Sequence, residues 1–152
     1  MKMRLSSLEL HEKEKELNER LLQERETEDR KIYWAETQVK ELYREGTEIN
    51  IKELENIIEK VPNNTHLVSE IIKLMDYIEN DKARKIELLK KAINITNDIY
   101  IARYADTKLD EMGYSLQDRI SLIKDYNERT TGVAISEITV NGSRQKIREL
   151  VL

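Results

Sequence analysis

The sequence predicts a mainly α-helical protein: antiparallel helical hairpins packed side by side, with a long N-terminal helix and a short C-terminal β-hairpin. Three observations carry that prediction. The composition is charged and poor in breakers, with one Pro, four Gly and no Phe in 152 residues and 37% Asp, Glu, Lys or Arg. Helix-start residues and apolar positions recur at a constant interval across residues 47–130. The connections between apolar-periodic segments are short, which makes successive helices antiparallel neighbours.

Residues 5–45 read as one long helix or two stacked ones. Glu9–Lys13, Glu16–Arg20, Glu26–Arg30 and Glu36–Lys40 each set an acid four residues before a base. Such pairs add about 0.2–0.5 kcal/mol each to an isolated helix. The apolar stripe falls into two patches: Leu10, Leu17 and Leu21, then Ile32, Ala35, Val39 and Leu42, with Tyr33 and Trp34 beside the second. Residues 23–31 between them carry no apolar side chain, so the seam of a continuous coiled coil breaks there. The second patch is expected to pack on the repeat body. The first has no obvious partner within the chain. Residues 1–31 are therefore either a solvated extension or a helix whose leucines meet another subunit or a partner helix.

Gly46 suits the residue just past a helix end, because it adopts the left-handed conformation freely. Thr47 or Asn50 then caps a helix over 51–60, and Glu53 completes a capping box with Asn50. Pro62-Asn63-Asn64 ends that helix and opens the next, over 65–79. Asn80-Asp81 leads to a helix over 82–95, and Asn97-Asp98 to one over 99–112 that ends at Gly113. Ser115, with Asp118, opens the last, over 116–129.

The tail changes character. Residues 133–140 are rich in β-branched side chains and run into Asn141-Gly142, the dipeptide that favours a type I′ hairpin turn. Residues 143–152 then form the returning strand; the alternative makes Ser143 the cap of a terminal helix. On the strand reading Arg144, Lys146 and Arg148 share one face, which could touch phosphate or remain solvated. An isolated two-stranded hairpin is marginal in water, so it must pack on the helices or pair with another chain.

The recurring interval is 34 residues. It relates Asn64 to Asp98, and Thr47 to Asp81 and Ser115. Apolar columns keep the register: Leu54, Leu88 and Leu122; Ile86 and Ile120; Leu89 and Ile123; Tyr33, Leu67 and Ile101; Ile78 and Met112. With Pro62 closing a second helix, residues 31–129 resemble a tetratricopeptide-like array of three hairpins. The resemblance implies stacking geometry and no family-specific ligand; a non-repeating α-bundle is the alternative. The expected organisation is a charged helical extension (1–31), a helical-hairpin domain (32–129) and a tail (130–152).

The chemistry of the chain is sparse. Cysteine is absent, which excludes disulfides and thiolate chemistry and fits a reducing compartment. His11 and His66 stand 55 positions apart with no H-E-x-x-H or E-x-x-H pattern, so neither a metal nor a cofactor is expected. The four glycines are far apart and end elements, so no phosphate-cradling loop is expected. No apolar run is long enough for a membrane span. The reading is of a soluble, cytoplasmic protein without enzymatic activity.

Seven Tyr and one Trp without Phe is the more informative balance, because these rings serve cores and interfaces alike. Tyr77, Tyr100, Tyr104 and Tyr114 fall near the ends or faces of the first helices of the hairpins, which line the concave groove of tetratricopeptide-like arrays. Lys73, Arg103 and Lys108 share those helices and could receive an acidic peptide. The leading expectation is thus a module that binds a partner helix or peptide. The second is a self-assembling component that oligomerises through Leu10, Leu17 and Leu21 and through Val133, Ile135, Ile138 and Val140 of the hairpin. A third, a nucleic-acid accessory protein, has less behind it, because residues 116–129 carry balanced charge rather than a basic recognition surface.

Overall fold

The computed structural model describes residues 6–45, 50–77 and 81–150. It is mainly helical: α1 (Ser7–Glu45), α2 (Ile51–Lys60), α3 (Thr65–Met75), α4 (Lys82–Ile95), α5 (Ile99–Glu111) and α6 (Leu116–Arg129) precede strands β1 (Glu137–Val140) and β2 (Ser143–Lys146), and a helical turn α7 (Ile147–Leu150) follows. The chain divides into two units, Met1–Trp34 and Ala35–Leu152. In the first unit, residues 7–30 of α1 are helical and exposed throughout. The second unit contains the core.

The helix starts follow the cap residues. Asn50 accepts from the Lys52 amide, Asn64 from Leu67, Asp81 from Arg84, Asp98 from Tyr100 and Ile101, and Ser115 from Asp118. Helix α5 ends in a left-handed Gly113 (φ 75°), with the Tyr114 amide bonded back to the Leu109 carbonyl. Residues 5–45 resolve as a single helix from Ser7 onward. Helix α3 stops at Met75 rather than 79, because Asp76 and Tyr77 turn back onto the Lys73 and Leu74 carbonyls. Gly46, Thr47, Ile78 and Asn80 lie outside the described residues.

From α2 onward, helices contact their neighbours and also the next helix but one: α2 packs on α4, α3 on α5, and α4 on α6. That is the contact pattern of stacked helical hairpins. Three of the 34-residue columns reach the core: Leu54, Leu88 and Leu122 are buried, as are Leu89 and Ile123, and Leu67 and Ile101. Ile86, Ile120 and Met112 are only half-buried, and Tyr33, expected to head the Leu67–Ile101 column, is 73% exposed. Polar side chains also bridge the successive loops, 34 residues apart in one pair and 33 in the other. Asn63 Oδ1 accepts the Asn97 amide at 2.7 Å, and Thr65 Oγ1 donates to Asp98 Oδ2 at 2.8 Å. Arg129 reaches back to the Ile93 and Thr96 carbonyls at 2.9 and 2.8 Å, occupying groups left open where α4 ends.

Strands β1 and β2 pair antiparallel with Val140 opposite Ser143, and the Asn141-Gly142 turn has positive φ at both residues (51° and 84°), as a type I′ turn requires. The hairpin packs on the helices, β1 lying against α5. The two readings of residues 143–152 both contribute: a four-residue strand comes first and a helical turn follows. Arg148 therefore belongs to α7 and does not continue the strand face of Arg144 and Lys146. Ile135 and Ile138, expected to be available for pairing with another chain, are buried in their own (2% and 1% exposed). Ile135 lies 34 residues beyond Ile101, and the strand that follows it packs beside α5.

Candidate interaction surfaces

Three arrangements in the second unit have the makings of a site: an exposed tyrosine face, a buried ionic cluster and an apolar groove. The tyrosine face spans the end of α1, α3 and α5. Tyr43 donates its hydroxyl to Glu70 Oε2 at 2.8 Å, and Lys73 pairs with the other Glu70 oxygen at 3.7 Å. Tyr77 and Tyr100 leave most of their rings in solvent (77% and 69% exposed). Lys108 donates to Asp76 Oδ2 at 3.1 Å, lies 3.5 Å from Glu111 and sits 5.9 Å from the centre of the Tyr104 ring. Burial opposes the charge of Lys108, but Asp76, Tyr104 and Glu111 outweigh it and hold its pKa above the usual lysine value.

The sequence therefore places Lys73, Tyr77, Tyr100, Tyr104 and Lys108 on α3, α5 and the turn after α3. Both lysines already have carboxylate partners, so the face is of mixed charge and is not a ready acceptor for an acidic peptide. Arg103 is drawn elsewhere: it lines a small cavity with Thr107, Glu137 and Arg144 beside the hairpin.

Although half of the Tyr43 residue is exposed, its hydroxyl is desolvated and faces a carboxylate. Desolvation first, then the Glu70 hydrogen bond and charge, push its pKa up to about 12. A raised phenol pKa means that the native state holds this proton more tightly than the unfolded chain. The resulting stability is intact below the ordinary tyrosine value near 10 and is lost as pH rises towards 12. Spectrophotometric titration should show one tyrosine ionising about two units late. Tyr43→Phe removes that component, and a late component that survives Tyr43→Phe would assign it elsewhere.

The ionic cluster ties the hairpin to the helices. Arg119 of α6 is buried. Its Nη1 donates to Asp106 Oδ1 at 3.0 Å and to the Thr139 carbonyl at 2.8 Å, while Nη2 donates to Asp110 Oδ1 at 3.1 Å. The carboxylates in turn hold β-hairpin backbone. Asp106 Oδ2 accepts from the Thr139 amide at 3.4 Å, and Asp110 accepts from the Asn141 and Gly142 amides at 3.1 and 3.0 Å. Burial raises the Asp106 carboxyl above its ordinary pKa despite the guanidinium beside it. Among the described residues no buried side-chain polar atom lacks a partner, so this cluster is saturated by the fold and leaves nothing open to a ligand. Sequence reasoning missed it. The available signal was Asp106, a carboxylate on the apolar face of α5 among Ala102, Ala105 and Leu109.

The groove lies between the outer face of α6 and the tail, with a volume of about 910 Å³. Ile120, Ile123, Ile135 and Ile147 give it an apolar lining. Lys124, Lys146 and Arg148 stand at its edge and are exposed; Glu128 is the one carboxylate among its described lining residues. Asn127 builds one wall by holding both backbone groups of Ile135: its Oδ1 accepts the amide at 2.7 Å, and its Nδ2 donates to the carbonyl at 2.9 Å.

The residues expected to oligomerise are thus divided. Leu10, Leu17 and Leu21 are each about half exposed in the first unit, and Val133 is exposed. Val140 is half-buried beside the turn, and Ile135 and Ile138 belong to the core. Among the described residues no cluster of His, Cys, Asp or Glu could hold a metal ion, and no helix is long and apolar enough to cross a membrane. Comparison with family models, curated proteins and solved structures finds no match to this chain.

Proposed function

We propose that this chain is a non-enzymatic protein-interaction module of tetratricopeptide-like hairpins that binds a partner helix or extended peptide along its tyrosine face. The observation that carries this reading is the exposure of Tyr77 and Tyr100 on a surface otherwise made of paired ions. Large rings left in water contribute little to the fold, yet they are the side chains that dominate binding energy when a partner covers them. The mixed charge of Glu70, Lys73, Asp76 and Lys108 around them suits a partner that carries both signs. A cytoplasmic setting fits a sequence without cysteine.

The test is quantitative capture by the wild-type chain and by a Tyr77→Ala/Tyr100→Ala variant. Both rings are solvent-exposed, so the variant should unfold at the wild-type midpoint. Loss of two hot-spot rings costs at least about 2 kcal/mol of binding, a roughly thirtyfold weaker interaction. Equal recovery of the same partner by a folded double variant would remove the tyrosine face from the binding surface.

A further inference from the structure

The chain carries two surfaces that complement each other in shape and charge. Residues 10, 14, 17, 21, 24 and 28 follow one another at alternating steps of four and three, so they share one face of α1. Three are leucines (Leu10, Leu17, Leu21) and three are glutamates (Glu14, Glu24, Glu28), and all six are exposed; Glu28 also pairs with Lys31 at 3.3 Å, a solvated contact that a partner's cation would have to share or replace. Two such helices paired as an in-register parallel coiled coil would bury the carboxylates against their own like charges, which destabilises the seam. The α6–tail groove has the opposite character. Its isoleucine lining is bordered by three exposed cationic side chains, with one carboxylate among the described lining residues.

We propose that this groove receives the N-terminal helix of a second copy of the chain. Leu10, Leu17 and Leu21 lie against the isoleucines, and Glu14, Glu24 and Glu28 face Lys124, Lys146 and Arg148. Burial of the leucines supplies the affinity. The rim ion pairs set the orientation and select this helix over neutral or basic ones. The inference uses neither the tyrosine face nor the binding partner proposed for it.

Charge exchange tests it in the full-length protein. Wild type is compared by sedimentation velocity with a Glu14→Lys/Glu24→Lys/Glu28→Lys variant, a Lys124→Glu/Lys146→Glu/Arg148→Glu variant, and their equimolar mixture. All six positions are exposed, and unfolding midpoints check that each variant is folded. Wild type should approach twice the 18.0 kDa chain mass as concentration rises. Each variant alone should associate at least about tenfold more weakly, because like charges then meet at both contacts. The mixture should recover the wild-type affinity, since helix and rim are complementary again in each direction. Leu17→Lys, which touches no charge partner at the rim, should also stay monomeric. A wild-type chain that remains a monomer throughout would overturn the proposal. So would variants that dimerise as wild type does, or a mixture that stays as two monomers.

Discussion

Replacing Arg119 with methionine is expected to destabilise the protein by about 3–5 kcal/mol, a fall in unfolding midpoint on the order of 10 °C. Methionine keeps much of the unbranched stem but removes the guanidinium, leaving buried Asp106 and half-buried Asp110 near each other without that counter-charge. The Thr139 carbonyl loses its donor in the same step. A buried ion pair can contribute little net stability while its one-sided removal costs a great deal, because the remaining charge has no water to return to. The pH dependence follows from the direction of the Asp106 shift. A carboxyl raised above its ordinary value binds its proton more tightly in the native state, so its contribution to stability falls as pH rises through that window. Without Arg119 the shift grows, and the deficit of the variant should shrink on acidification from pH 7 towards 5. A deficit under about 1 kcal/mol, or one that grows in acid, would show that Arg119 does not hold the two carboxylates.

Much of the helical body was legible because its signals are local. Asn50, Asn64, Asp81, Asp98 and Ser115 each announce a helix through a side-chain acceptor within three residues of the amides it serves. The Asn141-Gly142 turn was legible for the same reason: two residues suffice to set it. Helix α3 was read too long because its apolar pattern continues past Met75, whereas the backbone turns at Asp76 and Tyr77. The Arg119 cluster was hidden, because its acids lie nine and thirteen residues back on another helix and nothing in the pattern joins them before the fold does.

The candidate surfaces divide on the same principle. Helical spacing locates the exposed tyrosines, but the pairing of Lys108 with Asp76 spans 32 residues and depends on how α3 and α5 stack. The groove is further from the sequence still. Its lining unites Ile120 of α6 with Ile147 of α7, which meet only once the tail has docked. The β-branched run at 133–140 reads equally well as an edge seeking another chain or as a piece of core, since alternation specifies a buried face without naming what buries it. Continuing the interval from Leu67 and Ile101 to Ile135 is the one sequence argument that separates the two.

The docked hairpin underlies both the Arg119 cluster and the groove, so its place in the core is the claim on which the others depend. The most direct measurement is chemical unfolding of Ile138→Ala, followed by far-UV circular dichroism against wild type. Ile138 is 1% exposed on a strand that packs against α5, and removing its side chain leaves a cavity that the rigid helices cannot close. The expected loss is about 2–5 kcal/mol, seen as a lower midpoint with unchanged slope. A change within about 0.5 kcal/mol, the range of surface substitutions, would mean that the tail is an appendage and the stack ends at α6.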